Sequence, residues 1–202
     1  MTKLVNCKHI AQIDLQRNVE TVYSIVGNST LQWYANASET LYDDCLAFGV
    51  DYRTMCAVVA VLSPALRWDK NLLTARQVIA DFQGDGVMGG YMAYAANVHK
   101  AIRILSGESP DNVLGGLKVI AFYHNLLQPN VNTGYVTIDR HAINIALHGI
   151  NASLRKSGDF TATKKAHEQI AAAYVHVAQS FGVLPQQLQA ATWSYCADSN
   201  SF

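Results

Sequence analysis

Two short runs hold the chain's best-placed reactive groups: Gly115-Gly116-Leu117-Lys118 and Thr137-Ile138-Asp139-Arg140-His141. Paired glycines permit backbone angles that other residues resist, so the first run reads as a tight turn entering a helix near Leu117. The second reads as a short extended segment that ends at a helix start. Asp139 is the natural N-cap there, because its carboxylate can accept a bond from a free amide of the first turn. Negative charge is favoured at a helix N-terminus, and a carboxylate fixed there can stabilise positive charge building on a reacting carbon and orient a water. Lysine in a first turn opposes the helix dipole by ~0.3–1 kcal/mol, a poor place for a merely solubilising charge. If partly buried beside Val119 and Phe122, Lys118 would be suited to nucleophilic attack through a Schiff base. The plainer readings are that Asp139 only caps its helix and that Lys118 is solvated or meets a phosphate beside the turn amides.

The neighbouring groups play smaller parts. His141 follows Asp139 by two residues, so on a helix the two side chains point in different directions; it reads as holding backbone or loop in place. Arg140 reads as a phosphate contact or an exposed charge. Competing chemistries lack their residue patterns. Cys7, Cys45, Cys56 and Cys196 form no Cys-x-x-Cys pair and read as buried thiols in a reducing compartment, so neither a metal nor an iron-sulfur cluster is expected. A zinc-deaminase signature and a serine-hydrolase elbow are missing, and the glycines near residue 86 do not follow a phosphate-loop pattern.

The elements that must position these residues read as helices throughout. Hydrophobic residues make up 50% and charged residues 15% of the 202, which excludes disorder and points to a well-buried core. Apolar periodicity predicts one or two short helices over 8–26, ended by Gly27, and a longer one to about Phe48 capped by Ser29 or Thr30. Its inner face would carry Leu31, Tyr34, Ala35, Ser38, Leu41, Tyr42 and Cys45. Asp51 should cap a helix over 52–62 that is apolar all round and therefore central. Pro64 breaks it. The next helix, 68–82, would turn Leu72, Leu73, Ala75, Val78 and Ile79 inward, followed by a glycine-rich linker over 83–90 and a helix over 91–105. Ser109 and Pro110 start a short helix, and a second arm runs over 117–127, so that a hairpin occupies about 109–127. After a loop with extended character at 135–138 come helices over 140–148, 164–181 and 185–197, with a polar loop at 149–163. The whole is expected to be one all-α domain, 1–202.

Gly116-x-Lys118 followed by Ile138-Asp139-Arg140-His141 resembles the helix-hairpin-helix DNA glycosylase superfamily, whose pattern is a glycine hairpin, Gly-x-Lys in lyase-active members, and Val-Asp-x-His at a later helix start. Val61-Leu62-Ser63-Pro64-Ala65 resembles that superfamily's duplex-inserting Leu-Ser-x-Gln segment, with Pro64 or Ala65 in place of the glutamine. The hairpin equivalent, Asn112-Val113-Leu114-Gly115-Gly116, lacks the usual proline and first glycine. Whole-chain patterning, including Gln189-Ala190-Ala191-Thr192-Trp193, looks closer to a group of small, mainly phage-encoded glycosylase-like helical proteins.

The resemblance implies two helical lobes with a cleft holding Lys118 and Asp139. It implies action on an extruded base in DNA, modified or not, with cleavage of the N-glycosidic bond. Asp139 would stabilise the cation and Lys118 would serve as nucleophile or phosphate anchor. Gly115 and Gly116 would bring backbone amides to the DNA. Arg67, Trp68 and Asn71 would form a wedge past the proline break, and Tyr123, Tyr91 or Tyr94 could stack the base, although Trp68 and the tyrosines read equally as core. The alternatives are a transferase modifying a base in phage DNA and a DNA-binding module without chemistry. The module is favoured by the formal net charge of zero, although residues 61–202 carry eleven Lys/Arg against nine Asp/Glu. No cofactor is implied. The polar N-terminus shows no signal peptide and no apolar run reaches the length of a membrane span, so a cytoplasmic protein is expected, in the host cytoplasm if phage-encoded.

Overall fold

The computed structural model describes residues 3–28, 30–84, 89–152, 154 and 160–197. Its elements, in chain order, are β1 (Lys3–Val5), α1 (Gln12–Val26), α2 (Trp33–Phe48), α3 (Tyr52–Leu62), α4 (Trp68–Gln83) and α5 (Ala95–Leu105). These are followed by α6 (Pro110–Val113), α7 (Leu117–Leu127), α8 (Arg140–His148), a 3-10 turn at Gly149–Ala152, β2 (Phe160–Ala162), α9 (Lys164–Phe181) and α10 (Pro185–Ala197). The protein is all-helical apart from the small strand pair. Residues up to Ala35 and from Gln128 onward make one compact unit, discontinuous in sequence. Asn36–Leu127 make a second, continuous one.

The continuous unit is built on α3. Asp51 caps it, its carboxylate accepting from the Thr54 amide at 3.0 Å. Every residue from Met55 to Leu62 is at most 2% exposed, so the helix needs cover on all sides. That cover comes from α4, α5 and α7. They contribute Leu72, Ala75, Val78 and Ile79, then Val98, Ala101 and Ile104, then Ala121, Phe122 and Leu126. Each large side chain so buried is worth roughly 1.5–3 kcal/mol. Arg76 Nε bonds both oxygens of the buried Asp44 carboxylate, at 2.9 and 3.0 Å, which pins α4 to α2. At Pro64 the chain turns, with the Leu66 amide donating to Ser63 O at 3.1 Å. Ala65 occupies the third position of this turn at φ 66°, a left-handed conformation ordinarily taken by glycine.

The discontinuous unit packs α1, α8, α9 and α10 around Leu15, Val19, Val22, Ile143, Ile145, Ile170, Tyr174 and Leu188. Close approach is decisive at one point. The Asn18 amide donates to Ala146 O at 2.9 Å, and a Cβ on Gly149 (φ 52°) would stand 3.0 Å from Asn18 Oδ1. Thr163 caps α9 by accepting from the Ala166 amide, and Gly182 ends it in the left-handed conformation. β1 and β2 pair in parallel, Lys3 opposite Phe160, and the Thr163 amide extends the ladder to Val5 O.

Several expectations change. The 8–26 segment is a single helix that begins only at Gln12. α2 begins at Trp33, after a turn in which the Trp33 amide donates to Thr30 O, and Ser29 lies outside the described residues. Tyr42 is 54% exposed, not inward-facing, and its ring stacks flat on Tyr52 at 4.0 Å. Leu73 is 52% exposed, and the buried Asn71 and Thr74 share the inner side of α4 with the apolar residues. α5 starts at Ala95, because Tyr91 is drawn aside to bond the Asp81 carboxylate at 2.8 Å. Residues 85–88 of the glycine-rich linker and 153 and 155–159 of the polar loop lie outside the described residues. The rest of that loop holds the 3-10 turn and β2. Among the described residues no single helix is long and apolar enough to cross a membrane.

Two substitutions test the local physics. Asp51→Ala should cost about 1 kcal/mol of stability in denaturant unfolding. Burial pushes the Asp51 carboxyl up, but hydrogen bonds from Thr54 and from the Arg53 and Asp51 amides together hold the group below its ordinary pKa. Its stabilisation is therefore whole above the ordinary carboxylate range and lost as pH falls through the native value, and Asp51→Ala should flatten that acid limb. Ala65→Gly should raise stability by about 0.5–1 kcal/mol, since left-handed backbone is strained for an L side chain.

Candidate functional site

Lys118 belongs to the continuous unit and Asp139 to the discontinuous one. In the continuous unit, α6 ends at Val113 with Leu114 as its C-cap, and the exposed Gly115 and Gly116 lead into α7. Gly116 has φ 85° and open space where a Cβ would stand, so backbone conformation and not crowding calls for glycine there. The Ile120 amide closes the first turn on Gly116 O at 3.1 Å, with Lys118 half-buried in that turn. Lys100 of α5 brings its Nζ to 3.8 Å from the position of a Cβ on Gly115. Two lysines thus flank the exposed hairpin.

Arg53, in the first turn of α3, ties this hairpin down. Its Nε donates to Tyr123 Oη at 3.0 Å and its Nη2 reaches Asp111 Oδ2 at 2.6 Å, joining α3 to both arms. Arg103 forms a fork on Glu108 just before α6, at 2.7 and 2.5 Å. Both ion pairs are substantially solvated and so hold geometry more than they add stability. Tyr123 is 1% exposed, its phenol pushed up by burial, and it serves as a buried brace for Arg53 and not as a surface on which a base could stack. Burial likewise pushes the neighbouring His124 imidazole down.

The expected wedge is only partly at the surface. Arg67 is exposed, its Nε 3.8 Å from Asp69, and Ala65 is exposed beside it. Trp68 is half-buried and meets Phe122 of α7 edge-on, centroids 6.5 Å apart. Asn71 is 1% exposed and its amide donates to Val59 O at 3.1 Å, so it straps α4 to α3 and cannot meet DNA in this arrangement. An asparagine one turn into α4 is drawn inward because a carbonyl of α3 offers it a bond. Tyr94, by contrast, is 61% exposed.

In the discontinuous unit, Asp139 caps α8 as its position implies. Its Oδ1 accepts from the His141 and Ala142 amides, each at 2.9 Å, and the residue stays half-exposed. The carboxylate's charge reaches inward to Tyr174, whose phenol burial pushes up, and to Cys196, whose thiol is pushed up to about 11, burial again being the larger cause. The extended segment before it is anchored from behind. Tyr34 Oη lies 2.9 Å from Thr137 Oγ1 and 3.0 Å from Gln189 Oε1. A phenol has one hydrogen, so when Tyr34 donates to Gln189 the Thr137 hydroxyl must donate to Tyr34. Gln186 donates to Pro129 O and Val131 O at 3.1 and 2.8 Å, fixing the start of the same segment. His141 is 8% exposed, its Nε2 accepting from Arg140 Nε at 3.3 Å, and its ring meets Trp193 edge-on at 6.0 Å. Arg140 itself is exposed.

Arg53, Lys100, Tyr34, Gln186 and Gln189 were not singled out in the sequence as functional. Their partners are distant in the chain, and no local pattern marks them. Among the described residues no group of three or more His, Cys, Asp or Glu side chains could hold a metal, and the four cysteines are free.

The protein is all-helical, with Lys118 following a glycine turn in one unit and the capping carboxylate Asp139 in the other. The chain belongs to a family of unknown function (DUF7178), whose model matches residues 6–200. No curated protein and no solved structure matches it.

Tyr34→Phe tests the anchoring of the Asp139 segment. It should cost about 1–2 kcal/mol, because the phenol's two partners are left buried and short of a bond. Amide hydrogen exchange should quicken at Val136–Asp139 while α3 is unchanged.

Proposed function

We propose that the protein acts on a base in DNA, cleaving the N-glycosidic bond of an extruded nucleotide. The observation that carries this reading is Asp139. Its Oδ1 is fixed by two amides at the N-terminus of α8 while the residue remains half-exposed, which leaves a rigid negative charge where solvent or a ligand can meet it. Departure of a base builds positive charge on the sugar, and a carboxylate that needs no reorganisation stabilises that charge as it forms. Arg140 beside it is placed to meet a phosphate. The exposed Gly115 and Gly116 amides, flanked by Lys100 and Lys118, supply a second contact with the DNA backbone, and Lys118 is the nucleophile if a Schiff base forms. A helix-hairpin-helix fold is part of this proposal.

A DNA-binding module without chemistry is the second reading. One observation favours it: two amide bonds on Asp139 account for its position as a helix cap without any further role.

The test is incubation with single- and double-stranded DNA carrying damaged or phage-type modified bases, with borohydride trapping, for wild type, Lys118→Ala and Asp139→Asn. Asparagine keeps the cap. Base release should fall at least about a hundredfold in Asp139→Asn. A trapped adduct that disappears in Lys118→Ala assigns the nucleophile, whereas release without trapping leaves Lys118 as a phosphate anchor. DNA binding with no base release from any substrate overturns the glycosidic reading in favour of the module or of a base-modifying transferase.

A further inference from the structure

The discontinuous unit contains an aromatic cluster that its hydrophobic core does not explain. Trp33 opens α2, and Trp193 lies on the last helix. Their ring centroids stand 6.4 Å apart at an interplanar angle of 48°. Trp193 also meets the edge of His141 at 6.0 Å, and Trp33 meets the edge of Tyr34 at 4.9 Å. Neither indole is among the buried residues that make up the core, and both are partly exposed. Two of the chain's three tryptophans are therefore placed together at a partly solvated position. Partly exposed indoles in contact with each other offer π-faces on which a planar ring stacks.

The cluster is also chemically continuous with the capping carboxylate. His141, whose ring touches Trp193, is the residue whose amide donates to Asp139 Oδ1 at 2.9 Å, and Arg140 Nε bonds the same imidazole. An indole of α10, the imidazole and the Arg140 guanidinium thus meet at the start of α8, the helix that Asp139 caps. Behind them, the Tyr34 phenol holds Gln189, one helical turn before Trp193, to the Thr137 segment. The position of Trp193 is thereby tied to that of Asp139.

We propose that Trp33 and Trp193, backed by His141, form the stacking wall for a nucleobase beside Asp139. This rests on the reading that the protein engages a base in DNA, and it names the part that holds the base. The ligand is the planar heteroaromatic ring of an unpaired or extruded nucleotide; an indole wall gripping a π-face tolerates different bases, so the chemistry selects for unpaired bases in general.

The test uses the full chain carrying Trp68→Phe, which leaves Trp33 and Trp193 as the only indoles. It is titrated with a fifteen-nucleotide single strand of mixed bases and with a strand of equal phosphate count whose sugars carry no bases. The base-bearing strand should quench the fluorescence and bind about tenfold tighter than the abasic one. Trp193→Leu or Trp33→Leu should remove most of that difference, and Trp193→Phe should retain it, with helical circular dichroism unchanged. Equal binding and quenching by both strands overturns the proposal, as does failure of the base-bearing strand to bind. A difference that survives both leucine variants also overturns it. Should the leucine variants not fold, the Trp68→Phe protein alone decides by comparison of the two strands. Base release at the wild-type rate in Trp193→Leu would remove the wall and leave the enzymatic reading standing. Loss of release in Asp139→Asn with the base-dependent difference intact supports both.

Discussion

A helix apolar on every side can exist in water only if other helices cover it completely, and α3 imposes that condition on the continuous unit. Its eight consecutive buried residues leave no polar face, so α4, α5 and α7 must converge on it, and the hairpin between α6 and α7 is delivered as a consequence. The single polar device at its start has two functions in sequence. Asp51 stops the preceding chain, and Arg53 two residues later reaches out of the core to hold both arms of the hairpin. Packing fixes where the hairpin is, and one guanidinium fixes how it is turned.

The other unit meets a different constraint. Its capping carboxylate lies at a helix start preceded by an extended segment, and extended backbone without a full sheet partner must find its order in side chains. Tyr34, Gln186 and Gln189 provide it. This places polar residues at the buried positions of α10, where Gln186 and Thr192 are fully covered and Gln189 nearly so. Buried amides are costly unless bonded: Gln186 donates to the segment that leads to Asp139, and Gln189 accepts from Tyr34, which also bonds Thr137.

Most helices were legible because their ends are written locally. Asp51 and Asp139 each act through amides two or three residues away, and the sequence shows both. What escaped is decided at long range. The β1 and β2 pairing joins two three-residue segments from opposite ends of the chain, with no period to reveal either. Tyr42 belongs by spacing to the inner face of α2, but Tyr52 offered its ring a flat partner outside. Asn71 and Tyr123, polar and aromatic residues beside a proposed DNA surface, were drawn inward by Val59 O and by Arg53. Trp33 and Trp193 could not be joined on paper, since nothing in either neighbourhood points to the other.

The division of the chain sets an order of assembly during synthesis. Residues 36–127 are contiguous, so the α3 core can close as soon as Leu127 has left the ribosome. α1 has no such freedom. Leu15, Val19 and Val22 are covered by α8, α9 and α10, which are made last, and β1 waits for β2. α1 is thus made before residues 36–127 and buried only after them, and until then its apolar face is without the helices that cover it. Between the synthesis of α1 and that of α10 there is an interval in which exposed apolar surface on α1 is open to aggregation.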